Sequence, residues 1–318
     1  MASWRLSGLA NVNSVWCARF GGRFYTRENA MIKSHSKVAA LFAIGLLPAS
    51  AMAVISDVNG VRIQLRRFND YSASTLVATP VPPPPGPGAP VTYGVAGLPP
   101  TISFNEGPFG AGGFANQHVA RLSADSGATN YGLAAGPNPG QSTDRFDITF
   151  DVTMSIGSVA PRKEAGFRFD GPGGESFFFV TSDGEVAAFG GPLPFFSFGG
   201  AGTYVPGNRA SLRMVYSPDN DAIAGTDGDA STITYFYDND VTGGAGPISS
   251  GAIQMSNTEN GFITGSEVGL YAQYQPNDNN PNDFANVSFQ NLTVAVPEPA
   301  SLGLISIAGL ALLARRRK

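Results

Sequence analysis

Two glutamates, one histidine and two acidic loops are the residues of this chain best suited to chemistry. Glu175 and Glu185 fall in adjacent expected strands, and two carboxylates on one face at the right separation are what retaining glycoside hydrolysis requires. No Glu-x-Asp-x-x-Glu spacing occurs. Glu185 follows a turn and Glu175 precedes a Phe-rich run, so a solvated edge or turn is the expected role of each. His118, within Gln117-His118-Val119-Ala120-Arg121-Leu122, is the single histidine after residue 53. It reads as a strand residue with a satisfied imidazole, and without a second histidine or any cysteine in that region the usual Cys/His and Ser/His catalytic pairs are excluded unless His118 itself serves. The segment from Asp219-Asn220-Asp221 to Asp227-Gly228-Asp229 concentrates carboxylates in a loop, as the hard cation Ca²⁺ demands. Asp219, Asp221, Asp227 and Asp229 are its candidate ligands, but the closing Glu of an EF-hand loop is missing, and a solvated acidic turn is the expected state. Asn277-Asp278-Asn279-Asn280-Pro281-Asn282-Asp283 is a similar candidate. No other metal or cofactor is expected. Phe195, Phe196, Phe198 and Tyr204 stand among glycines and prolines between residues 190 and 207; they can offer flat faces to a sugar, although burial is the expected fate of such large rings.

These residues need a scaffold of strands. Period-2 apolar patterns recur between Gly, Pro, Asn and Asp, and no window of helical length shows a 3.6 period. The clearest strand is Arg145 to Met154, with Phe146, Ile148, Phe150, Val152 and Met154 on one side and Asp147, Thr149, Asp151 and Thr153 on the other. Others are Val61 to Arg67, Ala165 to Asp170, Ser176 to Thr181, Glu185 to Phe189, Arg209 to Tyr216, Thr232 to Tyr237, Val268 to Gln273 and Phe284 to Val294. Ser182-Asp183-Gly184-Glu185 fits a hairpin turn, because Asp-Gly accepts positive φ. The proline run between Pro80 and Pro90 is an extended loop, read here as lying inside one domain. Many short strands with frequent turns predict an all-β, antiparallel sandwich over residues 54–295.

Composition narrows function further. Residues 54–299 hold 10 Lys and Arg against 23 Asp and Glu, a net charge of about −13. Such a surface repels phosphate backbones, which are bound by clustered cations, so nucleic acid is excluded as a partner. About 245 residues bury enough surface in one domain to need no disulfide.

Both ends carry addressing signals. Met31 to Ala53 has the form of a secretory signal peptide: Lys33 and Lys37, the apolar stretch Val38 to Leu47, and the small-x-small site Ala51-Met52-Ala53, which predicts cleavage between Ala53 and Val54. Residues 1–30, with the only cysteine, Cys17, and both tryptophans, Trp4 and Trp16, read as an upstream extension. At the other end Val296-Pro297-Glu298-Pro299 precedes an apolar run to Ala314 and the cations Arg315, Arg316, Arg317 and Lys318. As a helix, Ala300 to Ala314 would span roughly 22 Å at 1.5 Å per residue, short of the roughly 30 Å hydrocarbon core. The terminal cations hold it with its N-terminal end outward, as a transient membrane anchor open to cutting at its outer edge.

This triad of Pro-Glu-Pro, short hydrophobic segment and basic cluster resembles the PEP-CTERM tail of exported bacterial proteins. The resemblance implies processing by exosortase near Pro297-Glu298-Pro299, delivery to the cell envelope surface or extracellular matrix, and an association with exopolysaccharide. A second resemblance lies in the succession Phe114 to Val119, Arg162 to Phe167, Asp183 to Gly190, Glu267 to Gln273 and Asp283 to Leu292, which is similar to concanavalin A-like jelly rolls that recur with such tails. Together they imply a structural or adhesive surface protein without enzymatic activity. A lectin-like, Ca²⁺-assisted carbohydrate-binding module is the alternative, and a glycan hydrolase or lyase a third class. Related tails also occur on ice-binding proteins, but no regular Thr-x-Thr ladder offers a flat ice face here.

Overall fold

A computed structural model of the chain describes residues 58–66, 75–82, 91–107, 115–136, 141–218, 231–239, 241, 244, 246–255, 263–275, 277 and 279–295. Sixteen strands are found among them: β1 (Gly60–Arg66), β2 (Thr75–Thr79), β3 (Val91–Ala96), β4 (Thr101–Gly107), β5 (Asn116–Ser123), β6 (Phe146–Ile156), β7 (Glu164–Asp170), β8 (Ser176–Thr181), β9 (Val186–Phe189), β10 (Phe196–Gly199), β11 (Arg209–Ser217), β12 (Thr232–Asp238), β13 (Ile248–Ser249), β14 (Ile253–Gln254), β15 (Glu267–Tyr274) and β16 (Ala285–Ala295). They form two antiparallel sheets. Sheet I runs β10-β9-β8-β7-β15-β5-β1-β3 and sheet II runs β13-β12-β11-β6-β16-β4-β2, with β14 also on β12.

The sheets pack face to face because each strand in the middle of a sheet turns its apolar residues one way. In β6, Phe146, Ile148, Phe150, Val152 and Met154 are all buried, while Asp147, Thr149, Asp151 and Thr153 look outward, as the two-residue period of a strand dictates. Opposite them β7 contributes Phe167 and Phe169. Phe150 meets Phe167 at 4.5 Å between ring centroids and Phe146 meets Phe169 at 6.1 Å. Burying such rings is the main apolar gain of the fold, about 25 cal/mol for each Å² removed from water. The buried tyrosines keep their hydroxyls hydrogen-bonded: Tyr235 to the Pro194 carbonyl at 3.0 Å, Tyr274 to the Phe104 carbonyl at 2.6 Å.

All nine strands expected from periodicity are present to within a residue or two. The Asp183-Gly184 turn joins β8 to β9, with Gly184 at φ 90°. Strand β5 carries little alternation because both of its faces are covered, and β2, β3 and β4 are short apolar strands separated in sequence by proline-rich segments. The jelly-roll class expected from sequence is therefore the architecture observed.

Candidate functional site

The outer face of sheet I, turned away from the core, is where unlike side chains converge. Strand register sets them in three rows. One runs Gln64, Val119, Tyr271, Gly166, Phe179 and Ala187; the next runs Arg62, Arg121, Gly269, Arg168, Phe177 and Phe189; the third runs Arg66, Gln117, Gln273, Glu164 and Thr181. Val119, Phe179 and Tyr271, with Phe177 and Phe189 against them, make a second apolar cluster separate from the core. Gly166 permits it. A Cβ there would stand 2.2 Å from the Phe178 carbonyl oxygen and 2.5 Å from Phe179 Cα, so a glycine lets β7 and β8 close up beside the Tyr271 ring.

A polar network surrounds that cluster. The Arg168 guanidinium, only 4 % exposed, donates to Asp170 at 2.7 Å, to Glu175 at 2.6 Å and to Gln117 at 3.3 Å. Arg121 donates to the same Asp170 at 2.5 Å and to Gln64 at 3.1 Å, and its Nε lies 3.0 Å from the Glu267 carboxylate as an ion pair. Gln117 donates to Gln273 at 2.8 Å. Arg168 also lies 5.8 Å above the Phe177 ring, and Arg162 lies 5.3 Å above Phe179, geometry in which a cation is drawn to the ring face. The planar fork of each arginine is thus held by carboxylates and an amide at once, which suits guanidinium better than a lysine ammonium.

At one edge of the network the Tyr271 hydroxyl donates to Glu164 at 2.6 Å. Burial pushes the Glu164 carboxyl above the usual carboxylate range, against the opposing pull of the Tyr271 hydroxyl and of Arg162. Burial and then the Glu164 charge push Tyr271 well above the ordinary phenol value, so its proton is held at neutral pH. At the opposite end, Arg62, Gln64, Thr92, Arg121, Asn130 and Glu267 line a depression of about 360 Å³.

The candidates singled out from sequence fare differently. Val296, Pro297, Glu298, Pro299, Arg315, Arg316, Arg317 and Lys318, the cleavage residues Ala51, Ala53 and Val54, and the carboxylates Asp219, Asp221, Asp227 and Asp229 all lie outside the described residues. Glu175 and Glu185 do not act as a pair: Glu175, 57 % exposed, serves Arg168, and Glu185 takes Arg162 at 2.8 Å. His118 points into the core, where its Nε2 contacts Glu106 at 2.9 Å and its Nδ1 has no partner among the described residues; half of the imidazole is satisfied, not all of it. Asp283 is not free for Ca²⁺. Its carboxylate is wholly buried against the Lys163 ammonium at 3.0 Å, so an internal cation partners it, where a solvated turn was the expected state and Ca²⁺ the alternative. Of the aromatic segment, Tyr204 is buried and Phe196 and Phe198 pack half-buried on the core, while Phe195 stays exposed. Among the described residues no group of three His, Cys, Asp or Glu converges as a metal set.

Arg121, Arg168, Gln117, Gln273, Tyr271 and Glu164 were not singled out beforehand. Their signal was faint but physical: polar residues at alternate positions of strands β5, β7 and β15 that are otherwise apolar on both sides.

With that geometry in hand, likenesses to known proteins can be weighed. Residues 295–318 match the PEP-CTERM protein-sorting motif, which marks the chain as an exported protein sorted by exosortase to the cell envelope surface. No curated protein sequence matches the chain. Solved structures of similar fold include the alginate lyase of Klebsiella pneumoniae, 10 % identical over 76 % of this chain and 97 % of its own at a TM-score of 0.45. The alginate lyase of Corynebacterium sp. is 12 % identical over 76 % and 96 % at 0.43. The seed lectin of Lotus tetragonolobus is 13 % identical over 74 % and 99 % at 0.34. At such identities the likeness concerns the fold alone. It nevertheless corrects one expectation: lyases are among the proteins built on this sandwich, so the inference from sequence that the chain has no enzymatic activity is withdrawn.

Proposed function

We propose that the sandwich is an exported polysaccharide-binding module that holds a sugar chain along the outer face of sheet I. The observation that carries this reading is the network of Arg121, Arg168, Gln64, Gln117 and Gln273 fixed beside the half-buried rings of Phe177 and Phe189. Guanidiniums and amides in fixed orientation match hydroxyls by hydrogen bonding, and rings pack on the apolar face of a pyranose; binding sites combine an apolar floor with a few convergent polar groups in this way. The tail supports the same reading by delivering the protein to where extracellular polysaccharide lies. Exosortase would cut near Pro297-Glu298-Pro299, so protein recovered from envelope and medium should lack everything beyond that triplet by C-terminal peptide mass. An intact terminus at Lys318 would instead leave a weakly anchored membrane protein.

Binding is tested with a glycan panel that includes the producer's own exopolysaccharide. Wild-type protein should bind at least one polymer, and Phe177→Ala should weaken that binding about tenfold, the loss of one well-packed contact worth about 1.4 kcal/mol. A panel negative throughout at millimolar ligand sinks the proposal.

The Tyr271–Glu164 pair favours a second reading, a polysaccharide lyase. In such a reaction a base removes the proton beside a uronate carboxylate, a cation neutralises that carboxylate, and the leaving oxygen takes a proton as a carbon–carbon double bond forms. Glu164, its carboxyl pushed above the usual carboxylate range by burial, is placed as the base, with Arg168 as the cation and the Tyr271 hydroxyl as the proton donor. The Tyr271 ring is wholly covered, so a polymer would reach Glu164 first. Growth of ultraviolet absorbance on a uronate polymer, abolished by Glu164→Gln, would establish turnover; a flat trace leaves binding alone.

A further inference from the structure

A groove on the other sheet offers different chemistry. Val77 of β2, Asn105 of β4 and Asn286 of β16 stand in one outward row of sheet II. With Asn282, Phe284, Gly107 and the edge of Glu106 they enclose about 470 Å³. Among the described residues no charge lines it, because the Glu106 carboxylate turns inward to Asn116 and His118. The side-chain amides of Asn105, Asn282 and Asn286 have no partner among the described residues, so each keeps a donor and an acceptor for a ligand.

One wall of the groove is the turn that carries Asn282 and leads into Phe284, and this turn is held from behind. Asp283 accepts from the Lys163 ammonium at 3.0 Å and from the backbone N–H groups of Asn277 and Phe284, each at 3.0 Å. The same ammonium donates to the carbonyls of Ser158 at 2.8 Å and Pro161 at 3.3 Å. Asn280 ties the turn to Ser158 at 2.8 Å, and its side-chain oxygen accepts the Asn282 N–H at 3.1 Å. Gly107, at φ 146°, lets β4 approach so closely that a Cβ would stand 2.5 Å from that of Phe284. Oxygen atoms from two loops thus close around one buried cation, as they do around a bound metal, but here the cation is a side chain of the protein.

We propose that this groove is a second saccharide site, for a neutral, hydroxyl-rich ligand, and that Lys163 organises its wall in place of a metal ion. Three amides without a partner among the described residues, beside Val77 and the Phe284 ring, recognise hydroxyls and the apolar face of a pyranose, and the absence of charge among the described lining residues disfavours uronates and sulfated sugars. A wall fixed in advance loses no ordering entropy on binding. The proposal shares with the preceding section only the premise that the sandwich meets polysaccharide; it assigns a different face.

Titration of the full exported domain with cellotetraose, followed by calorimetry, tests it. Wild-type protein should bind, and Asn105→Ala with Asn286→Ala should weaken binding more than about tenfold with no change in melting temperature. Phe177→Ala on sheet I should leave a cellotetraose site of unchanged affinity. EDTA should change nothing. Lys163→Met should abolish this site and spare polymer binding on sheet I; because that variant risks misfolding, Asn282→Ala, which touches no buried group, is the second probe and should also weaken binding. Unchanged affinity in the Asn variants, with loss in Phe177→Ala, would overturn this proposal and leave the sheet I reading standing. Loss in the Asn variants with polymer binding indifferent to Phe177→Ala would do the reverse. Loss of binding in EDTA would overturn the role given to Lys163, and wild-type protein that does not bind cellotetraose overturns the site itself.

Discussion

The two outer faces of the sandwich are built from the same strand geometry and differ in how deeply their charged groups are buried. On sheet I, arginines are sunk among carboxylates, amides and rings, and Arg168 is almost wholly covered. On sheet II the arginines pair nearer to solvent: Arg213 donates to Asp147 at 2.7 and 2.6 Å and lies 4.7 Å over the Phe236 ring, and Arg209 pairs with Asp151, which also accepts from Asn291 at 2.7 Å. Both Arg209 and Arg213 remain 40 % exposed. A charge kept in water gains little from a partner, whereas a charge withdrawn from water depends on every partner it has. The face of sheet I is therefore stiff and costly to disturb. The face of sheet II is more tolerant, and the groove whose wall Lys163 holds is an organised region on it.

This contrast is sharpest for the arginines. Arg168→Met leaves Asp170 short of a buried partner and should lower unfolding free energy by about 3 kcal/mol, while Arg213→Met should cost under about 1 kcal/mol. Urea denaturation of both variants measures the difference, and equal losses would erase the distinction. Next in size, Gly166→Ala forces a Cβ onto the Phe178 carbonyl and should cost about 1–3 kcal/mol, read from the same denaturation curves. Tyr271→Phe removes one hydrogen bond to a partly buried carboxylate, worth about 1–2 kcal/mol. Because the Tyr271 hydroxyl pulls the Glu164 pKa down against burial, the same variant should raise the Glu164 pKa further, as carboxyl-selective NMR titration would show.

The smallest effect concerns the turn after β5. Asp125 accepts from the Ser123 and Thr129 hydroxyls and from the Thr129 backbone N–H, which hold its carboxyl down to about 2. A folded value below the unfolded one stabilises the protein above the ordinary carboxylate range, and that contribution fades as pH falls from about 4 through about 2. Melting temperatures over this interval should fall less steeply in Asp125→Asn than in wild type. Parallel curves would deny the turn any part in the acid response.

Strand positions were legible because alternation in segments such as Phe146 to Met154 is a local consequence of burying one side of a strand. Strand β5 showed in sequence only as a strand around His118 and not by alternation, since its outer side, with Gln117, Val119 and Arg121, and its core side, with His118, Ala120 and Leu122, are both covered by neighbours distant in the chain. Glu175 and Glu185 looked like chemistry because acidic residues are conspicuous in sequence, yet each answers to an arginine on another segment.

By itself the sequence determined the all-β class and the sorting tail, because these follow from periodicity and short contiguous motifs. Only the tertiary structure decided that Arg121 and Arg168 share Asp170, that Tyr271 reaches Glu164 across 107 positions, and that Lys163 meets Asp283 across 120. Partners that far apart are chosen by strand order and register, and no local pattern of residues encodes which strand lies beside which.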